Sequence, residues 1–175
     1  FDLNWNPESI GGLIFISQDP DYSLPATSCV IQHRLGLTKE CACLDLGLGC
    51  SGFIYGLSVA SQMLQASESS RFLILCGDNS TRHLAPTDKG THPLFGDAGA
   101  AIAIEKKKEN SSIMQFTLGS DGSGAKNIIV KGGGKRFPIF EDTPELTDLE
   151  LLEKFNQSRL SLKGPEIFSF TIEHV

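Results

Sequence analysis

The residues most suited to chemistry lie in Asp45-Leu46-Gly47-Leu48-Gly49-Cys50-Ser51-Gly52-Phe53. One cysteine sits among glycines. An apolar run, Ala42 to Leu46, leads into it, and Phe53, Leu57, Ala60 and Leu64 follow at helical spacing, with Ile54 widening the apolar face. A strand-to-helix junction is where open α/β sheets place functional groups, beyond the carboxyl end of a strand. The amides of Cys50, Ser51 and Gly52 are expected to be unpaired donors at the helix start. Those donors and the helix dipole favour an anion. A thiolate there would be the nucleophilic form of the side chain, and the same amides could hold the oxyanion of a thioester under attack. Gly49 and Gly52 are expected to leave a substrate's path clear. Equally, Cys50 could be a packed small hydrophobe, and local physics leaves both readings standing. A hydrolase nucleophile elbow fits poorly. It needs glycine two residues before and two after the nucleophile, and position 48 is leucine.

A second cluster reads Pro86-Thr87-Asp88-Lys89-Gly90-Thr91, then Leu94-Phe95-Gly96-Asp97-Ala98-Gly99-Ala100-Ala101. It is a glycine-punctuated turn leading into small residues. Lys89 could meet a phosphate or face water, and Asp97 could cap neighbouring amides. His83 and His92 flank this loop and are expected to be structural. His33, beside Arg34, reads as a surface or interface residue. The remaining cysteines are Cys29, Cys41, Cys43 and Cys76. An odd count in apolar surroundings suits a reducing compartment better than a disulfide framework. Cys41-Ala42-Cys43 is too tight for a zinc pair, so no metal site is expected. Both thiols should share one strand face.

These groups need elements to position them. Leu13-Ile14-Phe15-Ile16-Ser17, Ala42 to Leu46 and Phe72 to Gly77 read as buried strands. Between the first two lies a helix expected to start around Pro25 and stop at Gly36. Between the second and third lies the Phe53–Leu64 helix, closed by Ser67 to Ser70. Continuous apolar strands alternating with helices indicate a largely parallel sheet covered on both faces. Gly99 to Glu105 makes a further strand of small residues. Ile113 to Leu118 and Asn127 to Val130 are candidate strands. Gly132-Gly133-Gly134 reads as a flexible connection. Leu146 to Phe155 and Gly164 to Val175 read as helical.

The chain has 175 residues, 40% hydrophobic and 21% charged, with a formal net charge of −6. That composition is ordinary for a globular domain and lacks the basic stripe of a nucleic-acid binder. Lys106-Lys107-Lys108 runs straight into Glu109 and reads as a solvated turn. No apolar run approaches the roughly 20 residues of a membrane span. The start, Phe1-Asp2-Leu3-Asn4, lacks a signal-peptide pattern and an initiator methionine.

Together, "LPATSCVIQHRLGL", "DLGLGCSGFIYGLSVASQML", "PTDKGTHPLFGDAGAAIAI" and "LKGPEIFSFTI" resemble β-ketoacyl-acyl carrier protein synthase III. The resemblance runs in order from about Ile14 to the end and is weakest between residues 106 and 161. It implies an α/β, thiolase-like fold, present here as mainly the N-terminal half of a longer protein. Residues 1–105 would form the half's core with the nucleophile, 106–160 a variable part, and 161–175 the start of a further helix. It implies a cytoplasmic homodimeric acyltransferase of fatty-acid biosynthesis. Acyl-CoA and an acyl carrier protein would be its partners, without resident cofactor or metal. Carried over, Cys50 accepts the acyl group from acyl-CoA and its amide is one oxyanion donor. Phe95 would line the acyl pocket, and Leu24 would reach into the partner's pocket. Lys89 would lie near the coenzyme A nucleotide, where lysine keeps charge but loses planar stacking. Leu162 and Gly164 would lie near the tunnel mouth. The resemblance also implies a histidine and an asparagine from the family's second half, and none of His33, His83, His92 or His174 matches that histidine. The piece is therefore expected to lack the full condensation. Two other readings stand beside this one: a thiolase-fold synthase of quinolone or polyketide metabolism, and an inactive interaction domain.

Overall fold

A computed structural model describes residues 3–107, 114–138 and 147–174. It divides into two compact units, residues 1–79 with 97–118, and residues 80–96 with 119–175.

In the first unit, β1 (Gly12–Ile16) takes the centre because its side chains are apolar on both faces. It pairs in parallel with β2 (Ala42–Leu46) on one side and with β3 (Arg71–Asn79) on the other. β4 (Asp97–Glu105) then pairs antiparallel with β3, giving the order β2-β1-β3-β4. The sheet is mostly parallel, as expected, with one antiparallel edge. Strand side chains alternate between faces. Ile14, Ile16, Phe72 and Ile74 bury against Ala60 and Leu64 of α2 (Gly52–Ala66). Leu13 joins Ile10, Leu37 and Cys41 in a second cluster with Ile31 of α1 (Thr27–Arg34) and Cys43 packed against it. Cys41 and Cys43 thus share a cluster, as the sequence suggested.

Several boundaries differ from expectation. Helix α1 starts at Thr27, with Ala26 as its N-cap, so Pro25 precedes the helix rather than entering it. Gly36 ends it as expected, with φ +66°, a backbone region that glycine tolerates freely. Residues 114–118 form no strand; Ile113, the first residue of that expected strand, lies outside the described residues. Lys106 is more than a solvated turn residue. Its ammonium donates to Ser67 O at 3.2 Å and Leu64 O at 3.4 Å, adding a charged donor to the carbonyls where α2 ends.

In the second unit, β5 (Ile128–Val130) pairs antiparallel with β6 (Leu160–Leu162). The β6 strand carries no sequence pattern long enough to read, being three residues. α3 (Asp148–Gln157) opens on a capping box between Thr147 and Glu150. Leu146, the first residue of the expected helix, lies outside the described residues. α4 (Gly164–His174) follows β6. The glycine triplet is hydrogen-bonded rather than free: Gly132 N–H donates to Gln157 O at 2.7 Å and Gly133 N–H to Phe137 O at 2.9 Å.

Candidate active site

The carboxyl ends of β1, β2 and β3 lie side by side, because the three strands are parallel. The turn after β2 carries Cys50, whose side chain is exposed. It precedes Ser51, the N-cap of α2. The donor set differs from expectation at one place. Gly52 N–H is already used, donating to Gly49 O at 2.7 Å across the turn. Of the three expected donors, the Cys50 and Ser51 amides remain without a backbone acceptor among the described residues.

The glycines around Cys50 act on packing more than on access. A β-carbon at Gly52 would lie 2.6 Å from Ile16 Cγ2, and one at Gly56 would meet Ile16 as well. These glycines let α2 lie close on β1, which fixes where the helix begins and hence where Cys50 stands. A β-carbon at Gly49 would run into the Gln18 carboxamide, 2.9 Å from its Cδ. Gly49 therefore makes room for a protein side chain.

Two carboxylates on the strand ends hold the loop between β1 and α1. Asp78 Oδ1 accepts Ser17 Oγ at 2.9 Å and Gln18 N–H at 2.7 Å. Asp45 accepts the first amides of α1, Thr27 N–H at 2.7 Å on Oδ2 and Ser28 N–H at 2.8 Å on Oδ1. A carboxylate at a helix N-terminus meets both unpaired donors and the positive end of the dipole. The loop held between them carries Leu24, whose side chain is 83% exposed. An open cleft of ≈ 560 Å³ borders this loop, lined by Phe15, Gln18, Tyr22, Ala26, Asp45 and Gly47 among others. Cys50 is not among its lining residues.

The other thiols differ from Cys50. Burial pushes the Cys43 thiol up to about 12, and the neighbouring Cys41 and Cys29 thiols push it the same way. Burial raises Cys41 and Cys76 too, with Asp78 adding to the effect at Cys76. A raised value depletes the thiolate, so these three behave as packed apolar groups. Cys29 and Cys50 are the exposed cysteines. Among the described residues, no group of three or more His, Cys, Asp or Glu is placed to hold a metal ion.

Lys89, Phe95, Leu162 and Gly164 belong to the second unit. Lys89 is exposed on a loop pinned by Asp88, which accepts Gly90 N–H at 2.8 Å and Thr91 Oγ1 at 2.6 Å. The Thr91 hydroxyl and the Gly90 amide hold the Asp88 carboxyl below its usual range. Phe95 is half-buried further along the same loop. Leu162 ends β6, and Gly164 opens α4. Within this unit the two segments are joined at their roots. Arg159 Nη1 donates to Leu84 O at 2.6 Å and Arg82 O at 2.9 Å. His83 Nδ1 and Ser158 O are 3.2 Å apart, which gives His83 the structural role expected of it. Asp97 opens β4 opposite Asn79, whose amide nitrogen can donate to its carboxylate at 2.9 Å.

A mostly parallel sheet with helices on it and a cysteine at the turn before a helix define an α/β protein of the thiolase-like class. Residues 44–122, which include Cys50, match the sequence profile of 3-oxoacyl-[acyl-carrier-protein (ACP)] synthase III. A crystal structure of a 3-oxoacyl-(acyl-carrier-protein) synthase III superposes on 99% of this chain with a TM-score of 0.86 at 33% identity, covering 52% of that chain. The Burkholderia xenovorans LB400 3-oxoacyl-(acyl-carrier protein) synthase gives a TM-score of 0.75 at 36% identity, over 97% of this chain and 47% of its own. A Clostridium acetobutylicum beta-ketoacyl-[acyl-carrier-protein] synthase III is 33% identical over 98% of this chain and 49% of its own length. The chain is thus related in sequence and fold to the 3-oxoacyl-ACP synthase III family along nearly all its residues. It spans about half the length of the curated relatives it matches.

Proposed function

We propose that the protein of which these residues are part is a condensing acyltransferase, with Cys50 as its acyl carrier. The observation that carries this reading is the placement of Cys50. It is exposed just after the half-buried strand β2 and at the start of a helix, inside the segment that matches the synthase family. In the proposed first step, the Cys50 sulfur attacks the carbonyl carbon of an acyl-CoA. A new carbon–sulfur bond forms, and coenzyme A leaves with the electron pair and takes up a proton. The amide of Cys50 would hold the developing oxyanion. In the second step, malonyl-acyl carrier protein loses carbon dioxide. The resulting carbanion attacks the acyl-cysteine, forms a carbon–carbon bond and expels the Cys50 thiolate. That step would draw on the histidine and asparagine implied by the resemblance. Thioester exchange of this kind needs a nucleophile and donors, so we assign acyl-CoA as substrate and no resident cofactor.

The remaining site assignments belong to the same reading. The exposure of Leu24 suits a residue that reaches a second copy in a homodimer. Lys89, on its pinned loop, would meet the coenzyme A phosphates. Phe95 would line the acyl pocket, and Leu162 and Gly164 the tunnel mouth. We assign a cytoplasmic setting, which suits an acyl-CoA substrate; no helix among the described residues is long and apolar enough to cross a membrane. The test is to incubate this chain with acyl-CoA and weigh it. An adduct on Cys50, absent in Cys50→Ala, is expected. No adduct, with a full-length relative acylated in parallel, would overturn the proposed first step for this chain.

A further inference from the structure

We infer that Gln18 is a specificity-determining residue, selecting acyl groups that carry a hydrogen-bonding oxygen close to the thioester. The inference rests on the acyl-transfer reading of Cys50.

Three observations lead there. First, the Gln18 main chain is fixed, since its N–H donates to Asp78 Oδ1 at 2.7 Å, the oxygen that also accepts Ser17 Oγ. Second, its carboxamide lies on the residue directly before the nucleophile. A β-carbon at Gly49 would be 2.9 Å from Gln18 Cδ and 3.6 Å from Nε2, so only glycine leaves this side chain in place. Third, Gln18 is exposed, it lines the cleft beside Tyr22 and Asp45, and none of the hydrogen bonds found among the described residues uses its carboxamide.

The chemistry of the ligand follows from that free carboxamide. An alkyl chain laid against it would strip its water and return no hydrogen bond, which costs free energy. A hydroxyl both donates and accepts, and so matches an amide that does the same. Gly49 adjoins Cys50, and a hydrogen bond spans only about 2.9 Å. The matching oxygen therefore belongs near the acyl carbonyl, as in a 3-hydroxyacyl group, rather than at the far end of the chain.

The test compares butyryl-CoA with 3-hydroxybutyryl-CoA as acyl donors to this chain, with the rate of Cys50 adduct formation followed by intact mass. The unaltered chain should favour the hydroxylated donor by about fivefold, the worth of one neutral hydrogen bond. Gln18→Leu, of similar size, and Gln18→Ala should each bring that ratio close to one without lowering the thermal midpoint. A ratio unchanged in both variants overturns the inference while leaving acyl transfer intact. So does a lowered midpoint with the ratio unchanged, which would assign Gln18 to packing of the turn. Adducts from neither donor would overturn the acyl-transfer reading, and this inference with it.

Discussion

Asp45 offers the most direct test of how the fold holds its site. Its two carboxylate oxygens accept Thr27 N–H at 2.7 Å and Ser28 N–H at 2.8 Å. Thr27 is 3% exposed and Ser28 fully buried, so water cannot easily replace the lost acceptor. Asp45→Ala would leave both amides without a partner at the positive end of α1. A buried unsatisfied donor costs about 1–3 kcal/mol, and losing a carboxylate at a helix N-terminus costs about 0.3–1 kcal/mol more. Some relaxation of the helix end is expected, so the net loss should be about 2–4 kcal/mol. For a chain of this size that lowers the thermal midpoint by about 5–15 °C. Asp45→Asn keeps one acceptor and should lose about half as much. Ser28→Ala is the control: its hydroxyl is buried with no partner, so removing it should be neutral or stabilising. Urea unfolding of the three variants gives the free energies. Hydrogen exchange at Leu24 and Ala26 shows whether the loop before α1 loosens with them. A loss below about 0.5 kcal/mol in Asp45→Ala would refute the argument that these two bonds fix the helix start.

Further expectations follow from the same contacts. With Cys43 pushed up to about 12, its thiolate fraction at pH 8 falls to about one in ten thousand. Brief iodoacetamide treatment of the native chain should therefore label Cys50 and Cys29 and spare Cys43, and peptide fragmentation would show the reverse if the burial argument were wrong. The same thiol binds its proton more tightly folded than unfolded. Its contribution to stability should be complete below pH ~9 and lost as pH rises towards 12. Urea midpoints that stay level across that range in the wild type would contradict it. Gly52→Val would force a branched side chain into Ile16 and should cost about 1–3 kcal/mol, read as a lower urea midpoint. Asp88→Ala should speed hydrogen exchange at Gly90 and Thr91 and leave unit-one amides unchanged. Because Asp88 sits below its usual range, the same loosening should appear in the wild type only as pH falls below that range.

The elements legible in the sequence were those with a local period. β1, β2 and β3 are apolar runs, and α2 repeats its apolar residues at helical spacing, so each could be placed to within a few residues. The junction that carries Cys50 followed from them, as a strand meeting a helix. What was not legible depends on partners distant in the chain. Gln18 and Ser17 meet Asp78 across 60 and 61 residues, and Lys106 reaches the end of α2 across 39 to 42. No spacing rule reports such contacts. The three-residue β6 falls below the length at which a period shows. The packing roles of Gly49 and Gly52 are not legible for a related reason: a glycine beside a nucleophile has room on two sides, and the sequence does not say which side the protein fills.

One signal was nonetheless present. Asp45 interrupts the apolar run Ala42 to Leu46 one residue before its end, and Asp78 follows Phe72 to Gly77 directly. A carboxylate in or against a buried strand is costly unless it is paired or hydrogen-bonded. Each therefore called for donors, and the nearest free donors at the carboxyl edge of a parallel sheet are main-chain amides of the connecting loops. In the structure both carboxylates take their donors from one connection, the loop from Ser17 into the first residues of α1, and hold it at its two ends. That loop carries Gln18 against the Cys50 turn and Leu24 out into the open. Two strand-end aspartates thus give one loop a fixed position relative to the nucleophile. A rigid connection is what discrimination between acyl groups requires, because a loop free to shift by an ångström or two could form or lose the Gln18 hydrogen bond with any donor.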